Sequence, residues 1–311
     1  MTCNWEKLGL VYECPGDGSW RHSSALTPTA IQLSDCTIRV YAGFRDQFGV
    51  SRIGYVDVDA ATPNKIKKIS NKPSLDVGAP GMFDDNGVIL GDIIKVGSVL
   101  RMYYVGFQLV NSVKFLAYSG VAISEDFGET FERYTEVPIL DRADEGKFIR
   151  AIHSVQKIGN EFWVWYAVGN GWEQIDGVPY PQYDINILKS SDGLSFGEVG
   201  QKCIRNNSHN AEYRIGRPRV FRDKSGYVMN FTYGTLDGRY QAGQAKSNDG
   251  LSWNRDDSEF GLMPSKVGWD SLHLSYPCIV TTHQNDTFMF YNGNNMGSEG
   301  FGVAKLTRVM K

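Results

Sequence analysis

Five segments rich in aromatic and β-branched residues recur along the chain at nearly constant spacing. They begin at residues 38, 100, 162, 227 and 287, so successive starts lie 62, 62, 65 and 60 residues apart. The segments read "IRVYAGFRD", "LRMYYVGFQ", "FWVWYAVGN", "YVMNFTYGT" and "TFMFYNGNN". A repeat of this length usually marks one supersecondary unit that buries its apolar surface against its neighbours. The spacing therefore constrains the fold more strongly than any single motif.

Each segment is flanked by further strand-like sequence. A short apolar strand precedes it, a third strand follows it, and a polar turn then leads to a fourth. Four antiparallel strands repeated five times predict an all-β, five-bladed β-propeller. Amphipathic helical periodicity is nearly absent, which argues against a Rossmann or TIM fold. We expect one domain, 1–311, with blades at about 26–72, 88–136, 149–200, 214–257 and 274–309, the last completed by residues 5–12.

Three related polar turns join the third and fourth strands of successive blades. They read "ISEDFGETFER", "KSSDGLSFGEV" and "KSNDGLSWNRD". In each, an Asp can fold onto its own backbone and a Gly can take a positive φ. "SEDFGETF" also fits the Asp-box pattern of sialidases and other propellers, where the Asp is structural. Asp126, Asp192 and Asp249 are therefore predicted to belong to the scaffold.

The fifth unit, which ends in "FGVAKLTRVMK", has no fourth strand of its own. The N-terminal "WEKLGLVY", Trp5 to Tyr12, has the aromatic-then-polar pattern of the other fourth strands. We expect it to pair as the outer strand of the last blade, which would leave no sheet edge open.

Composition limits the classes of function. The formal net charge is −3, and no Lys/Arg-rich run indicates nucleic-acid binding. No apolar run approaches the roughly 20 residues of a membrane helix, and the start lacks the plan of a signal peptide. The five cysteines form no CxxC pair, so we expect neither a zinc knuckle nor a disulfide framework, and a reduced, cytoplasmic location. The histidines lack metal-ligand spacing, and we expect no metal or cofactor.

Antiparallel order assigns every loop to one of two faces. The links between second and third strands, and those between blades, share a face and are long and rich in reactive side chains, which favours function there. We expect carboxylates, arginines and aromatic residues from these loops to converge over the channel. They are Asp46, Asp84, Asp85, Glu145, Glu212 and Asp270; Arg21, Arg45, Arg150, Arg214 and Arg217; and Trp20, Trp172, Trp269, Tyr213 and Tyr276. Paired carboxylates with flat aromatic rings suit glycosidic-bond chemistry.

With "GYVMNFTYG" and "TFMFYNG" as second strands and "SxDGxSW" turns, nearly the whole chain resembles the five-bladed glycosidase-like superfamily. This superfamily includes glycoside hydrolase families 32, 43, 68 and 130. The chain looks most similar to glycosidase-like proteins encoded among bacterial surface-polysaccharide genes. The resemblance implies the propeller fold and a carbohydrate ligand; one scaffold of this kind hosts many functions.

The chain departs from family 43-like hydrolases at both catalytic positions. Where their base Asp precedes a Pro in the first blade, "ALTPTAI" has Thr27. Where their acid Glu lies on the fourth blade, "IGRPRV" places Arg217, and the nearest acid is Glu212. The comparable positions of the other inner strands are expected to be Leu90, Ile152 and Tyr276.

Three hypotheses follow. The first is an enzyme that cleaves or transfers a glycosyl unit, with Glu212 as acid and Asp46, Asp84 or Asp92 as its partner. The second is a glycosyltransferase or phosphorylase acting on a phosphate-bearing sugar, because guanidinium groups suit phosphate. The third is a non-catalytic glycan-binding propeller. In each case the predicted substrate-binding residues are Arg21, Arg45, Asp85, Arg150, His153, Trp172, Tyr213, Arg217, Trp269, Asp270, Tyr276 and Asn292.

Overall fold

The computed structural model describes residues 4–224 and 226–307, whose regular structure consists almost entirely of β-strands. Two 3₁₀ turns (Ser208–Asn210 and Asp257–Phe260) and one short helix, α1 (Asn294–Gly297), complete the regular structure. The strands are β1 (Asn4–Glu13), β2 (Ser23–Ser34), β3 (Thr37–Arg45), β4 (Ser51–Asp59), β5 (Ile66–Ile69), β6 (Val88–Val96), β7 (Val99–Gln108), β8 (Leu116–Ser124), β9 (Glu132–Arg133), β10 (Ile149–Ile158), β11 (Glu161–Ile175), β12 (Val178–Ser190), β13 (Gln201–Ile204), β14 (Glu212–Asp223), β15 (Gly226–Thr235), β16 (Tyr240–Ser247), β17 (Asn254–Arg255), β18 (Ser275–Thr281), β19 (Thr287–Asn292) and β20 (Gly300–Thr307).

Antiparallel pairing joins these strands in groups of four. We name them group 1 (β2–β5), group 2 (β6–β9), group 3 (β10–β13), group 4 (β14–β17) and group 5 (β18–β20 with β1). Short parallel contacts link groups 2 and 3 (β8 with β10) and groups 3 and 4 (β12 with β14), so these three groups form one continuous sheet. The all-β prediction is therefore confirmed.

The N-terminal strand pairs where the sequence predicted. Trp5 lies opposite Leu306 and Tyr12 lies opposite Phe301, so β1 forms the outer strand beside β20. The apolar residues Val11 and Tyr12 pack into the same buried cluster as Phe301. The pairing thus protects the edge of β20 while burying the apolar side of β1.

The hydrophobic core is divided into layers between successive groups. Tyr41 of group 1 shares a buried cluster with Tyr104 of group 2. Trp165 of group 3 shares another with Phe231 of group 4, and Phe288 of group 5 joins the cluster that contains residues of group 1. Because strand side chains alternate between two faces, each sheet can present apolar rows to both neighbours. The central strands are accordingly buried on both sides, and polar residues are concentrated in the loops.

The three Asp-containing turns are held by their own hydrogen bonds. Asp249 accepts from the backbone N–H of Leu251 and of Ser252, each at 2.8 Å, and from the Ser247 hydroxyl at 2.9 Å. Asp126 and Asp192 make corresponding bonds in their turns. These bonds stabilise the ionised carboxylate, and they lower the pKa of Asp249 to about 2.

Each of these turns also receives a side chain from the preceding group, in contacts that we call turn locks. Tyr41 donates its hydroxyl to the Gly128 carbonyl at 2.9 Å, and Tyr103 donates to the Gly193 carbonyl at 2.9 Å. The indole of Trp165 donates to Gly250 at 3.3 Å. The repeated turn motif therefore fastens neighbouring groups together.

We expect Asp249→Ala to lower the melting temperature by a few degrees, because three hydrogen bonds of the turn are lost. The loss should shrink as the pH falls from about 4 towards 2. The pKa of this carboxyl is depressed in the folded protein, so its stabilising effect is present above the unfolded value of 3.8 and disappears when it is protonated. Thermal unfolding monitored by circular dichroism between pH 2 and 7 measures both effects. A difference that stays constant down to pH 2 would contradict this account.

Candidate functional site

A cavity of about 380 Å³ lies where the predicted functional face meets the inner strands. The links between second and third strands contribute Gly49 and Leu109, the third strand β12 contributes Tyr180, and the first strands contribute Thr27 and His153. Further side chains line its wall: Leu26, Arg45, Asn86, Ile89, Phe107, Lys114, Phe115, Ile149, Tyr183, Arg214, Arg217, Tyr240, Tyr276 and Met296. We call it the central cavity.

Every first strand carries a bulge at the same level. The register shifts between Leu26 and Thr29, Leu90 and Asp92, Ile152 and Ser154, Gly216 and Arg219, and Ser275 and Cys278. A bulge re-aims side chains and often adjoins a functional site. The residues at the five bulges are Thr27, Gly91, His153, Arg217 and Tyr276.

Backbone strain accompanies three of these bulges. Thr27, Arg217 and Tyr276 have φ values of 57°, 54° and 55°, in the left-handed region that such residues rarely adopt. The amide of Thr27 donates to Asn292 Oδ1 at 2.8 Å, and that of Tyr276 donates to the Thr232 hydroxyl at 2.9 Å. These bonds hold the strained backbone in place, as is common at binding sites.

The alignment of inner strands by sequence was wrong at two positions. It placed Leu90 and Ile152 at the positions equivalent to Thr27, whereas the bulges put Gly91 and His153 there. A bulge adds a residue that period-2 counting does not register, which shifts the assignment by one. Gly91 is required because a Cβ at this position would overlap the carbonyl oxygen of Ile152.

Arg217 organises the inner wall of the central cavity. Its guanidinium donates to the Leu90 carbonyl at 2.6 Å and lies 2.9 Å from His153 Nδ1. Its Cζ lies 5.5 Å from the ring centre of Tyr276, whose hydroxyl accepts a hydrogen bond from Tyr240 at 3.1 Å. Burial, and then the charges of Arg217 and Arg219, lower the pKa of His153 well below 6.5, so Nδ1 can accept from Arg217.

The central cavity is positively charged. Arg45, Lys114, Arg214 and Arg217 line it, and no carboxylate does so among the described residues. Burial lowers the pKa of Arg45, and burial lowers that of Arg217 to about 10. The guanidinium of Arg214 lies 4.5 Å from the ring centre of Tyr240 instead of beside an acid.

Three of these cations have no ionic partner within residues 4–224 and 226–307. The ion pairs of this part of the chain include none made by Arg45, Arg214 or Arg217. The Nε atoms of Arg45 and Arg214 are buried and make no hydrogen bond in the same ranges. Buried guanidinium groups without a counter-charge are costly, and an anionic ligand would supply the missing partner.

Each predicted catalytic carboxylate has an arginine partner outside the central cavity. Asp46 pairs with Arg52 at 2.8 Å, and Asp84 pairs with Arg133 at 2.8 Å. The sequence predicted that these carboxylates converge over the channel. In the structure, each is instead bound to a nearby arginine. Neither Asp46 nor Asp84 lines the central cavity.

Asp92 and Glu212 are also buried, each 5% exposed. Asp92 contacts Arg219 at 2.5 Å and accepts from the Val155 amide at 2.7 Å. Glu212 accepts two hydrogen bonds from Arg255, at 2.8 and 2.7 Å, and one from the amide of Asn207 at 2.7 Å. This bidentate geometry matches an ionised carboxylate, and delivery of a proton from Glu212 would require these bonds to rearrange.

Of the predicted binding residues, Arg45, His153, Arg217 and Tyr276 meet at the central cavity. The others lie elsewhere, mostly in packing or ion-pair roles. Arg150 and Asp270 form ion pairs with Glu145 and Lys7, and Arg21 lies over the ring of Trp20. Trp172 packs against Phe115, and Trp269 stacks on Tyr291. Asp85 accepts a hydrogen bond from the amide of Gly81, and the fully buried Asn292 accepts one from the amide of Thr27. Tyr213 lines a different cavity.

That second cavity, of about 810 Å³, lies between groups 3 and 4. Glu145, Glu173, Asp184 and Glu212 contribute carboxylates to it, and Tyr183 lines both cavities. We call it the lateral cavity.

Several cavity residues were not singled out from the sequence. Tyr180 and Tyr183 lie in the long hairpin of β11 and β12. Lys114 lies in the link between β7 and β8, and Tyr240 is the first residue of β16. The tyrosines in "GVPYPQY" were the available signal, because aromatic side chains near a hairpin turn project over the functional face. Lys114 and Tyr240 carry no comparable local signal.

No group of three or more His, Cys, Asp or Glu side chains in the described part of the chain is placed to hold a metal ion. In the same part, no helix is long and apolar enough to cross a membrane.

Comparison with solved structures identifies the class of fold. The chain resembles a glycosyl hydrolase from Bacteroides ovatus (TM-score 0.72, 14% identity, 98% of this chain and 94% of that one). It also resembles a structure from a study of mannoside phosphorylases and hydrolases of family GH130 (TM-score 0.71, 16% identity, 98% and 94%) and a thermostable family-43 glycoside hydrolase (0.68, 14%, 96% and 93%). The fold is that of the glycosidase-like β-propeller proteins, which confirms the resemblance found in the sequence.

No protein-family model matches the chain. It is 34% identical over 303 residues to "Uncharacterized protein Rv1502" of Mycobacterium tuberculosis strain H37Rv, covering 97% of this chain and 99% of that protein. The counterpart in strain CDC 1551, "Uncharacterized protein MT1551", matches equally well. The chain therefore belongs to the same family as Rv1502.

We expect His153→Asn to flatten the dependence of stability on pH. Because the pKa of His153 is lowered in the folded protein, the unfolded chain binds a proton below pH 6.5 that the folded protein does not bind. This histidine should therefore reduce the free energy of unfolding by up to about 1.4 kcal/mol per pH unit below that value.

Urea unfolding of both proteins between pH 5 and 8 measures this contribution. The difference in free energy of unfolding between the two proteins should stay constant above pH 7 and change below pH 6.5. Parallel curves down to pH 5 would show that His153 gains its proton as easily in the folded protein as in the unfolded chain.

Proposed function

We propose that this protein is carbohydrate-active and that its central cavity binds a sugar bearing a phosphate group. The observation that carries the proposal is the set of guanidinium groups of Arg45, Arg214 and Arg217, which lack carboxylate partners within the described ranges. Arg214 and Arg217 are buried and Arg45 is half-buried. Guanidinium groups form two parallel hydrogen bonds with phosphate, and a desolvated site strengthens them. The tyrosines of the cavity supply flat apolar faces for a sugar ring.

The proposal includes the architecture around the cavity. Groups 1 to 5 correspond to five blades of a single domain, with the boundaries expected from the sequence, arranged around a channel that the cavity caps. The bulges at one level in all five first strands support this arrangement. The described cysteines are free thiols, in keeping with a reducing, cytoplasmic location.

Transfer of a glycosyl unit to or from phosphate fits the cavity better than hydrolysis. Hydrolysis uses two carboxylates about the scissile bond, and the lining of the central cavity contains none among the described residues. In phosphorolysis, phosphate oxygen forms the bond to the anomeric carbon while the bond to the leaving sugar oxygen breaks, and that oxygen takes up a proton. The GH130 neighbour comes from a study of a family that contains both mannoside phosphorylases and glycoside hydrolases, so phosphorolysis is one of the reactions associated with this fold.

The lining residues suggest roles in this reaction. Arg45 and Arg214 would bind the phosphate, and Arg217 would orient it against His153. The pair Tyr240–Tyr276 is the hydroxyl dyad through which a proton can reach the leaving oxygen. Non-catalytic binding of the same ligand is the remaining alternative, and turnover decides between the two.

We expect Arg45→Gln to weaken binding of inorganic phosphate and of mannose 1-phosphate by tenfold or more, since a charge-assisted hydrogen bond is worth roughly 1.5–3 kcal/mol. Arg222→Gln, at an exposed arginine of β14, is the matched control and should bind as the wild type does. Isothermal titration calorimetry at low ionic strength measures both. If wild-type protein binds neither probe, or if Arg45→Gln binds equally well, the proposal fails.

Acid catalysis by Glu212 stays a prediction, and Glu212→Gln tests it. Its bidentate contact with Arg255 favours a structural role, so we expect a lower melting temperature with turnover per folded molecule nearly unchanged. Turnover is measured as phosphate-dependent formation of sugar 1-phosphate from manno-oligosaccharides, with release of the shortened oligosaccharide. A fall of about 100-fold without a change in melting temperature would instead identify Glu212 as an acid or base.

A further inference from the structure

The lateral cavity differs from the central cavity in charge. Four carboxylates line it, those of Glu145, Glu173, Asp184 and Glu212, together with Lys202 and Arg205. Three of these carboxylates pair with an arginine: Glu145 with Arg150, Asp184 with Arg205 and Glu212 with Arg255. The central cavity has four cationic side chains and no carboxylate in the described ranges. An anionic ligand is therefore attracted to the central cavity, whereas the lateral cavity, whose carboxylates are largely ion-paired, suits a neutral ligand better.

The lateral cavity also has an unused hydrogen-bond acceptor. Asn186 is 3% exposed, and its Nδ2 donates to Glu145 Oε2 at 3.1 Å. That bond fixes the orientation of the amide, and the Oδ1 atom is left buried with no partner in the described part of the chain. A buried acceptor of this kind costs free energy unless a donor reaches it. A sugar hydroxyl is such a donor.

The remaining lining suits the carbon face of a sugar. Tyr213 and Leu236 line the lateral cavity, and Leu236 is 47% exposed at its rim. Carboxylate and amide oxygens on the other side accept hydrogen bonds from hydroxyl groups. A ligand with many hydroxyl donors and an apolar ring face matches both walls.

The two cavities are neighbours. Tyr183 lines both of them, and it lies opposite Arg214 where β12 meets β14. Tyr180 of the central cavity and Tyr213 of the lateral cavity have ring centres 6.1 Å apart at an angle of 65°. Three tyrosines thus separate the cavities, and they offer an aromatic surface over which a glycosidic linkage can pass.

We propose that the lateral cavity is a binding subsite for an uncharged, hydroxyl-rich saccharide unit. The ligand is an oligosaccharide whose neutral units occupy the lateral cavity while an anionic group lies in the central cavity. The connection between the cavities rests on the proposed function, whereas the neutral subsite rests on the charge, the free acceptor and the lining of the lateral cavity alone.

The test blocks the lateral cavity without disturbing the central one. Ser208→Trp places an indole at an exposed lining position, and Leu236→Trp provides a second block at the rim. Val137→Trp is the control, at a position 64% exposed and outside both cavities. The probes are an array of neutral and anionic oligosaccharides of one to six units, followed by calorimetry on the neutral oligosaccharide with the strongest signal.

We expect the neutral oligosaccharide to bind wild type and Val137→Trp equally, and at least tenfold more weakly to either blocked variant. Its affinity should be unchanged between 50 and 500 mM salt, because no net charge is involved, and unchanged in Arg45→Gln. Binding of inorganic phosphate should persist in Ser208→Trp. The phosphate result in Arg45→Gln tests the central cavity separately, so the two proposals can fail independently.

Three outcomes would overturn the subsite. The protein would bind no neutral oligosaccharide at millimolar concentration, or both blocked variants would bind it as the wild type does. Alternatively, the blocked variants would lose only anionic glycans. A melting temperature equal to that of the wild type confirms that each variant is folded.

Discussion

The contact between Asp92 of β6 and Arg219 of β14 joins groups 2 and 4 beneath the central cavity. The two side chains meet at 2.5 Å, and the same guanidinium lies near the carbonyls of Gly91 and His153. Asp92 also accepts from the amide of Val155 on β10. One ion pair therefore fixes first strands from three groups at the level of their bulges. Removing one member of such a buried pair costs about 3–5 kcal/mol.

The positions of Arg217 and His153 depend on this arrangement. Both lie at bulges, and each adjoins a backbone group that the ion pair holds. The carboxylate that neutralises Arg219 lies below the cavity, and Arg217, two residues earlier, is left to face it without an acid. In the first strands the acid Asp92 is thus bound to Arg219 in the scaffold, and Arg217 faces the central cavity. This division explains why the cavity is charged although the loops above it contain many carboxylates.

Much of the fold follows from the sequence, because each strand can be recognised from its own run of aromatic and β-branched residues. The second strands are recognisable from their own residues, and Trp5 to Tyr12 was assigned to the last group from pattern alone. The site was less accessible to such reasoning. Loop order predicted a functional face, but it could not show that Glu212 is held by Arg255, 43 residues later in a different strand. Bulges are equally hidden, because the extra residue has no signature in the hydrophobic pattern. His153 was predicted as a binding residue, but the sequence alignment gave Ile152 the position equivalent to Thr27, which the bulge assigns to His153.

The pairing of β1 with β20 has a consequence for synthesis. The hydroxyl of Thr307 bonds the carbonyl of Asn4, 303 residues away in sequence. At about 5–20 residues per second, the ribosome needs roughly 15–60 s to make the partner of the first strand. The turn locks join group 1 to group 2, group 2 to group 3 and group 3 to group 4, so each can form as the next group emerges. Strand β1 must wait for β20, and Val11 and Tyr12 stay unburied until then. The waiting strand is therefore a natural target for a chaperone, and β1 can pair with β20 only when nearly the whole described chain has been made.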